Sequence, residues 1–536
     1  MGDVHREFGP YMPDLPPFMH PGTIRALNCV PRAVGFGSMP SLQSVSLGAL
    51  DARVRGAVSG RDKLGQSFNI AGTQTKLWYT TTGSPVDVTR AAGAYTTVSA
   101  GHWEFAKYGQ DVFGVNYTDE VQYLDLDTLS GASPAEDSET DTPFGGGSDA
   151  GQIPQAKHIG VVRDFVMVGN VNDTVNTSDG EVPERVHWGP IGNPAQQWPA
   201  AGTSAAKAVQ SDYQDIRGGA GAVQRVIGAS EIGLIFCEKQ IWRADYIGGT
   251  EFFSFYPLEE QRGLLIPGAL ASAGRVTIYL SEDGFYKTDG VQSAPIGKER
   301  IDRTFFADLD RENMERASAA IDPRTSLFVM SYPGSGNTSG TPNKILVYDY
   351  LLDRWAHGEE ALEILIQTLP SGISLDDDVT ASAGWLGGTE GTSTTNNWTS
   401  DVSGNIITNM DAGEFLGSDW QLGAYDTDHQ QARFDGPPRV SIIETGDMEL
   451  IEHRHAHLSG IRPHMTGGEP LISIGTKNRP NQAVTYGGAQ PLNQATGLSD
   501  QRADARYHRV VQTVLTPEST AQYSGFDAEY VATGVR

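Results

Sequence analysis

The sequence contains very little cysteine. Cys29 and Cys237 are the two in a chain of 536 residues, which excludes a fold built on a framework of disulfide bonds. Cys237 ends the apolar run that begins at Ile235, where a buried free thiol is the ordinary expectation. Long apolar runs are missing too, because no stretch approaches the length that spans a membrane. Residues 1–18 have no apolar core, so we expect neither a signal peptide nor a membrane anchor.

Positive charge is also scarce. The chain has 39 Lys and Arg residues against 66 Asp and Glu residues, which gives a formal net charge of −27. A surface that grips nucleic acid needs clustered cations to displace the counterions of the phosphates. The composition therefore argues against such a surface, and the negative excess serves either simple solubility or a functional electric field.

The familiar catalytic motifs are absent from the sequence. It contains no Gly-Lys-Ser/Thr phosphate loop, no His-Glu-X-X-His, no Gly-X-Ser-X-Gly and no Cys-X-X-Cys. The glycines in residues 218–221 lack the Gly-X-Gly-X-X-Gly spacing and the βα unit of a dinucleotide site, so this segment is predicted to be a loop. Acidic residues are too numerous for sequence to select a glycosidase pair. We therefore predict that the protein is not an enzyme and has no catalytic residue and no cofactor.

Three histidines alternate near the C-terminus. On a strand, His453, His455 and His457 would project from one face, which makes them the candidates for metal binding. A structural metal site needs a fourth ligand, and Arg454 adds positive charge nearby. We therefore favour a solvated or interface strand and predict no metal site.

What the sequence does have is glycine, proline and alternating strands. The 63 Gly, 29 Pro and 38% hydrophobic residues describe a loop-rich β protein. Residues 276–280 alternate aliphatic with aromatic or β-branched side chains, which predicts an interior strand covered on both faces. Asp283-Gly284 predicts a tight hairpin, and residues 285–288 its short return strand.

This pattern of apolar strand, polar turn and aromatic strand recurs along the chain. The successive units lie on the order of 45 to 60 residues apart, the spacing of four-stranded blades with variable loops. We therefore predict an all-β chain with an irregular β-propeller. The paired strands are 111–117 with 121–126, 159–162 with 165–168, 232–237 with 241–246, and 327–332 with 345–350.

Four regions are predicted. Residues 1–45 are rich in proline, which fixes φ and removes hydrogen-bond donors, so we expect an extended N-terminal arm that contains no central strand. We expect this arm to dock on a partner. The propeller is predicted to occupy residues 46–360, with an inserted loop at 129–155, a second long connection at 200–221 and a helix at 308–320. A Gly/Thr/Ser-rich region, 361–436, then connects to a C-terminal β-sandwich at 437–536.

Several segments resemble a known protein family. They are Arg163-Asp164-Phe165-Val166, Ser211-Asp212-Tyr213-Gln214-Asp215, Leu280 through Tyr286, and Ile296-Gly297 through Arg300-Ile301-Asp302. These segments are similar to the tail nozzle or tail hub proteins of short-tailed bacteriophages, also called tail stabilisation proteins. The resemblance covers roughly residues 60–360 and continues into the C-terminal region through residues 459–463 and 505–509. The loop at 129–155 has no counterpart in it.

The resemblance implies a structural virion protein of the phage tail. Tail nozzle proteins form a homohexamer below the portal-adaptor ring and extend the channel that retains and ejects DNA. They also offer attachment surfaces to fibre, spike or needle proteins. DNA would pass without specific binding, and a net-negative wall suits such passage because like charges repel. Glycine-rich loops near residues 145 and 390 are candidates for a gate in the channel.

Two alternatives stay open at the level of sequence. The first is a receptor- or carbohydrate-binding tail protein, or one that cleaves glycans, in which tryptophans stack on sugar. Core packing accounts for tryptophan in β proteins as well, and we favour it. The second is a bacterial propeller scaffold unrelated to phage. The tryptophan candidates are Trp78, Trp188, Trp198, Trp242 and Trp398.

Overall fold

The regular structure is almost entirely β-strand. The computed structural model describes residues 2–534 except 19, 46–47, 82–83, 99–100, 138–152, 175–176, 193, 196–197, 230, 250 and 370–419. These residues form forty strands, β1–β40, with two short helices, α1 (Ser204–Val209) and α2 (Asp302–Asp308), and a 3-10 turn at Met314–Arg316. The prediction of an all-β chain is confirmed. In this described part, no helix is long and apolar enough to cross a membrane.

The N-terminal segment contributes five short strands. Prolines fall mostly between these strands, as expected for a residue that cannot donate to a sheet. The strands are β1 (Gly2–Glu7), β2 (Thr23–Leu27), β3 (Cys29–Pro31), β4 (Phe36–Ser38) and β5 (Gln43–Ser44).

Seven antiparallel four-stranded units follow, each with its strands in consecutive order. The seventh unit takes its fourth strand from the N-terminal segment, because β5 pairs with the last strand of the unit. The units are β6–β9 (Gly56–Arg61, Ser67–Gly72, Leu77–Thr80, Val86–Asp87), β10–β13 (Glu104–Tyr108, Asp111–Val115, Gln122–Asp125, Glu136–Asp137), β14–β17 (Gln155–Val162, Phe165–Asp173, Gly180–Trp188, Asp212–Asp215), β18–β21 (Val223–Ala229, Ile232–Cys237, Ile241–Tyr246, Phe253–Glu259), β22–β25 (Leu270–Ala273, Val276–Ser281, Gly284–Thr288, Ser293–Pro295), β26–β29 (Ser318–Asp322, Leu327–Tyr332, Lys344–Asp349, Arg354–Glu359), and β30–β32 (Ile364–Thr368, Gln421–Tyr425, Gln431–Arg433) with β5.

The first strands of these units lie side by side. Strand β10 contacts both β6 and β14, β14 contacts β18, β26 contacts both β22 and β30, and β30 contacts β6. Between the fourth and fifth units, Phe236 packs against Tyr279 in a shared apolar cluster. The last unit thus returns to the first, and the arrangement fits a β-propeller. The region predicted as a connection, 361–436, supplies three strands of the seventh unit.

The remaining strands build two larger sheets. One continues the sixth unit in the order β26-β27-β28-β29-β2-β33-β39-β35-β36, with β37 beside β35. The other has the order β3-β4-β40-β34-β38, with β1 beside β40. The C-terminal strands are β33 (Ser441–Thr445), β34 (His455–Thr466), β35 (Pro470–Lys477), β36 (Thr485–Tyr486), β37 (Gln490–Pro491), β38 (Ser499–Ala505), β39 (Tyr507–Val514) and β40 (Gln522–Gly534).

One apolar core joins the two ends of the chain to its middle. It contains Phe8 and Phe36 from the N-terminal segment, Trp355 from the sixth unit, and Ile472 and Tyr523 from the C-terminal strands. Each of these side chains is buried, so the N-terminal segment is part of the interior of its own chain. The expectation that residues 1–45 form no central strand is wrong, because β2 pairs with β29 on one side and β33 on the other.

Two local predictions are also wrong. The helix expected at 308–320 is not formed: α2 ends at Asp308, whose carboxylate accepts hydrogen bonds from Tyr332 and Ser335, and β26 begins at Ser318. The connection expected at 200–221 contains α1 and β17, since Thr203 caps the helix by accepting a hydrogen bond from the amide of Ala206. Of the loop expected at 129–155, residues 138–152 lie outside the described part, as do both proposed gate sequences.

The hairpin predicted at residues 276–288 is confirmed, but its turn lies one residue earlier than the predicted Asp283-Gly284 pair. Strand β23 is interior, with Ile278, Tyr279 and Leu280 inaccessible to solvent, and Glu282-Asp283 form the turn before β24. Gly284 follows with φ of +143°, and a Cβ atom at this position would lie 2.2 Å from the Asp302 carboxylate. Glycine is therefore required here both by backbone conformation and by close approach.

Candidate functional site

A cavity runs between the first strands of the units. Its volume is about 350 Å³, and its walls come from β6, β10, β18, β22, β26 and β30. A second cavity of about 260 Å³ shares Trp103, Arg225, Gly268, Ser318 and Ile364 with the first. This second cavity, called here the axial mouth, lies where the first strands begin, because its lining residues directly precede or open those strands.

The axial mouth is strongly cationic, in contrast to the chain as a whole. Two acidic residues, Glu315 and Glu363, line the same cavity. The carboxylate of Glu363 is already engaged, since it accepts hydrogen bonds from the amide of Val54 at 2.8 Å and from Nδ1 of His429 at 2.6 Å. The cationic residues that line it are Arg53, Arg55, Lys157, Arg225 and Arg316.

Topology explains why these charges meet. Arg53 and Arg55 lie three residues and one residue before β6, Arg225 lies near the start of β18, and Arg316 lies two residues before β26. The amino ends of the first strands converge at one end of the ring, so charges more than 200 residues apart in sequence line one cavity. Sequence analysis missed this site. The sequence signal was an arginine next to the first strand of a unit. Such an arginine indicates a shared cationic cavity only when the first strands of the units are known to converge around an axis.

Glu104, at the start of β10, is a buried carboxylate that accepts hydrogen bonds from residues of the neighbouring units. Its Oε1 atom accepts hydrogen bonds from Nη1 of Arg225 and Nδ1 of His158, both at 2.8 Å, and Nε2 of His102 lies 3.2 Å away. Its Oε2 atom accepts the amide of Ile159 at 3.2 Å. One buried carboxylate thereby connects β10, β14 and β18, the first strands of three consecutive units.

The protonation states in this cluster follow from burial and charge. Burial alone would raise the pKa of Glu104, but the Arg225 charge and His158 outweigh it and hold that pKa well below its usual range. Complete burial lowers the pKa of His158 to about 4, despite the opposing effect of Glu104. His158 is therefore a neutral imidazole whose Nδ1–H donates to the Glu104 carboxylate. The cluster is a structural network rather than a pair poised for proton transfer at neutral pH.

The guanidinium groups at the mouth repel one another. Burial, together with the charges of Arg316 and Arg55, lowers the pKa of Arg53 to about 10. Burial and the Arg316 charge lower the pKa of Arg55 in the same direction. Arg316 donates through Nη1 to the carbonyl of Ser339 at 2.7 Å, while the Nε atoms of Arg316 and Arg225 are buried without a partner among the described residues. Positive charge is nevertheless in excess at the mouth, because five cationic side chains line it and, among the described residues, only two carboxylates, Glu315 and Glu363, act on Arg53 in the opposite direction.

The structure does not place the three predicted histidines on one strand. His453 lies in a turn with φ of +59°, where its amide donates to Glu449, and its side chain is largely exposed. His455 and His457 do lie on β34, which begins only at His455. The expectation of three imidazoles alternating on one strand is wrong, because the turn at residues 451–454 delays the start of the strand.

Other residues do form groups that could hold a metal ion. His5 and His464 each place a ring nitrogen 2.8 Å from a different oxygen of Asp527. These residues lie on β1, β34 and β40, so no sequence spacing could reveal them. His102, Glu104 and His158 form the second group, and there the carboxylate is already engaged by Arg225. In both groups, hydrogen bonds and ion pairs within the protein account for the geometry.

The tryptophans are mostly structural. Trp188 and Trp198 are buried, so they cannot stack on a sugar. Trp78 and Trp242 are partly exposed, and their indole N–H groups donate to Asp51 and Gln240. Trp398 lies outside the described residues.

No family model and no curated protein matches the sequence. Among solved structures, the extracellular domain of a one component system, BT4673, from B. thetaiotaomicron has a TM-score of 0.37 at 9% identity, covering 62% of this chain and 38% of that one. The Neurospora crassa Pan2 WD40 domain has a TM-score of 0.35 at 8% identity, covering 61% of this chain and 89% of that one. BamB from Moraxella catarrhalis has a TM-score of 0.32 at 12% identity, covering 63% of this chain and 87% of that one.

Proposed function

We propose that this chain is a structural subunit of a bacteriophage tail, six copies of which form a nozzle below the portal-adaptor ring. The observation that carries the proposal is the shared core, in which the N-terminal segment, the sixth unit and the C-terminal strands pack together. A chain whose ends are fixed to its middle in this way suits a part that must hold its shape under the load of DNA ejection. The resemblance of residues 60–360 to tail nozzle proteins points to the same role.

We infer that the fold is an irregular propeller joined to a C-terminal β-sandwich. The two larger sheets would be the layers of the sandwich, since Ile472 of one sheet and Tyr523 of the other belong to one buried cluster. The N-terminal strands complete both layers within one chain, because β2 enters the first sheet and β1, β3 and β4 enter the second. Contacts between subunits would then come from other surfaces.

The face opposite the axial mouth offers one such surface. The first strands run away from the mouth, so the turns after the first and third strands of each unit lie at the far end. Four of these turns carry exposed aliphatic side chains: Leu64 is 83% exposed, Ile247 59%, Val291 72% and Leu351 76%. Apolar side chains at exposed turns fit burial against a neighbouring subunit or ring. We propose that this face takes part in assembly of the tail, where fibre, spike or needle proteins also attach.

The experiment that tests this role removes the protein from the phage. Particles that lack it are expected to fill with DNA and then lose it, because the channel below the adaptor is incomplete. DNA retention is measured as nuclease-resistant DNA per particle, with restoration by the protein supplied in trans as the control. Particles without the protein that retain and eject DNA normally would contradict the proposal.

Sugar recognition is the less supported alternative. It depended on stacking tryptophans, and two of the five candidates are buried. Binding to a polysaccharide array, or release of reducing ends from a polysaccharide, would favour it over the nozzle.

A further inference from the structure

The axial mouth has the chemistry of an anion-binding pocket. Arginine and lysine side chains from the first, third, fourth and sixth units line a cavity of about 260 Å³, large enough for a small molecule. A guanidinium group presents several N–H donors in a plane, which matches the oxygens of phosphate or carboxylate groups.

The protein does not supply enough negative charge to balance these cations. Glu104 pairs with Arg225. The charges of Glu315 and Glu363 act on Arg53, so the described residues set three carboxylates against the five cationic side chains of the mouth. Glu315 is exposed to solvent. The buried Nε–H donors of Arg225 and Arg316 lack partners in the described part of the chain. A buried donor without an acceptor is costly, so an incoming anion would satisfy donors that the protein leaves open.

We propose that the axial mouth binds a small, multiply charged oxyanion, a phosphate compound or a polycarboxylate, through Arg53, Arg225 and Arg316. The ligand neutralises the mutual repulsion of the guanidinium groups and connects the first, fourth and sixth units. A DNA duplex is too wide for a cavity of this volume, so the site is distinct from the passage of DNA through a channel. It also does not depend on the proposed assembly, because every residue comes from one chain.

The test measures the binding of pyrophosphate and of citrate to the purified full-length protein by isothermal titration calorimetry. We expect binding of one ligand per chain and a rise in the midpoint of thermal unfolding, because a ligand that binds only the folded state stabilises it. Sodium chloride at matched ionic strength is the control for screening. Binding of both ligands supports a general oxyanion site, and binding of pyrophosphate alone supports a phosphate site.

Two variants make the test specific. The double variant Arg53→Gln, Arg316→Gln is expected to bind pyrophosphate at least tenfold more weakly, and thermal unfolding without ligand checks that the variant is folded. Arg311→Gln, an exposed arginine outside the mouth, is the matched control and is expected to bind like the original chain. The proposal is overturned if neither ligand binds, if both variants bind equally, or if duplex DNA competes more strongly than pyrophosphate.

Discussion

At the scale of single residues, Glu104 shows how one buried charge can connect several units. Its carboxylate accepts hydrogen bonds from Arg225, His158 and the amide of Ile159. We expect Glu104→Ala to lower the free energy of unfolding by about 3 kcal/mol, because it leaves buried donors and the Arg225 charge without a partner. The measurement is urea denaturation, with Glu282→Ala, at an exposed turn, as the control. An equal effect of both variants would show that the network contributes no stability.

Buried histidines predict a sensitivity to acid. Burial lowers the pKa of His158, His187 and His357 to about 4 each, whereas the same groups titrate near 6.5 in the unfolded chain. Between these values the unfolded state binds more protons, so stability falls as the pH drops from about 6.5 towards 4. Burial raises the pKa of Asp302 to about 6 and also raises the pKa values of Asp111 and Glu363, so these carboxyl groups act in the opposite direction. The lowered pKa of buried His508 adds to the effect of the three histidines.

The urea midpoint of the full chain, measured from pH 7 to pH 4.5, is expected to fall steadily. Each histidine changes the free energy of unfolding by at most about 1.4 kcal/mol per pH unit. His187→Gln is expected to make the slope shallower. A midpoint that stays constant over this range would show that the histidines are not held neutral by burial.

The sequence predicted the environment of residues whose neighbours lie on the same strand. It did not predict the environment of residues that are brought together by the arrangement of the four-stranded units around an axis. Cys237 was predicted to be a buried free thiol and is one, since it lies within an apolar strand. The axial mouth was not foreseen, because Arg53, Arg225 and Arg316 come from three separate units. The net charge of −27 even pointed away from it, since a total charge says nothing about where the cations gather.

At the scale of elements, the β23–β24 hairpin depends on Gly284. Its φ of +143° disfavours other residues, and a Cβ atom would lie 2.2 Å from the Asp302 carboxylate. We expect Gly284→Ala to destabilise the chain by about 2 kcal/mol or more, through both strain and displacement of Asp302. Gly65, with φ of +83° and open space around it, is the matched control, and Gly65→Ala is expected to cost less. Thermal unfolding distinguishes the two, and equal costs would mean that the contact with Asp302 is unimportant.

The predicted strands exist, but not all of their bounds are right, since β14 begins four residues before the predicted start at 159 and β15 ends five residues beyond the predicted end at 168. Strands β19 and β20 match the predicted ranges 232–237 and 241–246, because each is bounded by a polar turn. The helix expected at 308–320 failed because its capping residue, Asp308, bonds instead to side chains and backbone beyond the segment. A cap is a local signal, and here tertiary contacts outweigh it.

At the scale of the whole molecule, the N-terminal segment belongs to the core of its own chain. Phe8 is 1% exposed and its ring centroid lies 5.7 Å from that of Phe526 on β40. We expect Phe8→Ala to lower the free energy of unfolding of the isolated subunit by about 3–5 kcal/mol, as for other buried phenylalanines. Phe18→Ala, at a side chain 39% exposed, is the control and is expected to have little effect.

This prediction separates an N-terminal segment packed within its own chain from an arm that docks on a neighbour. For a docked arm, Phe8→Ala would weaken assembly and leave the stability of the single subunit unchanged. Sequence could not decide between them, because the partners of β1 and β2 lie hundreds of residues away and proline content describes only the connecting loops.

The mass of the purified protein in solution tests the proposal that the chain is a subunit of a hexameric tail nozzle. Light scattering would be measured on the protein alone and after mixing with the phage adaptor ring. We expect a nozzle subunit to be a hexamer, or a monomer that assembles into six copies on the adaptor. A stable monomer or trimer that is indifferent to the adaptor would contradict it and would turn attention to polysaccharide binding.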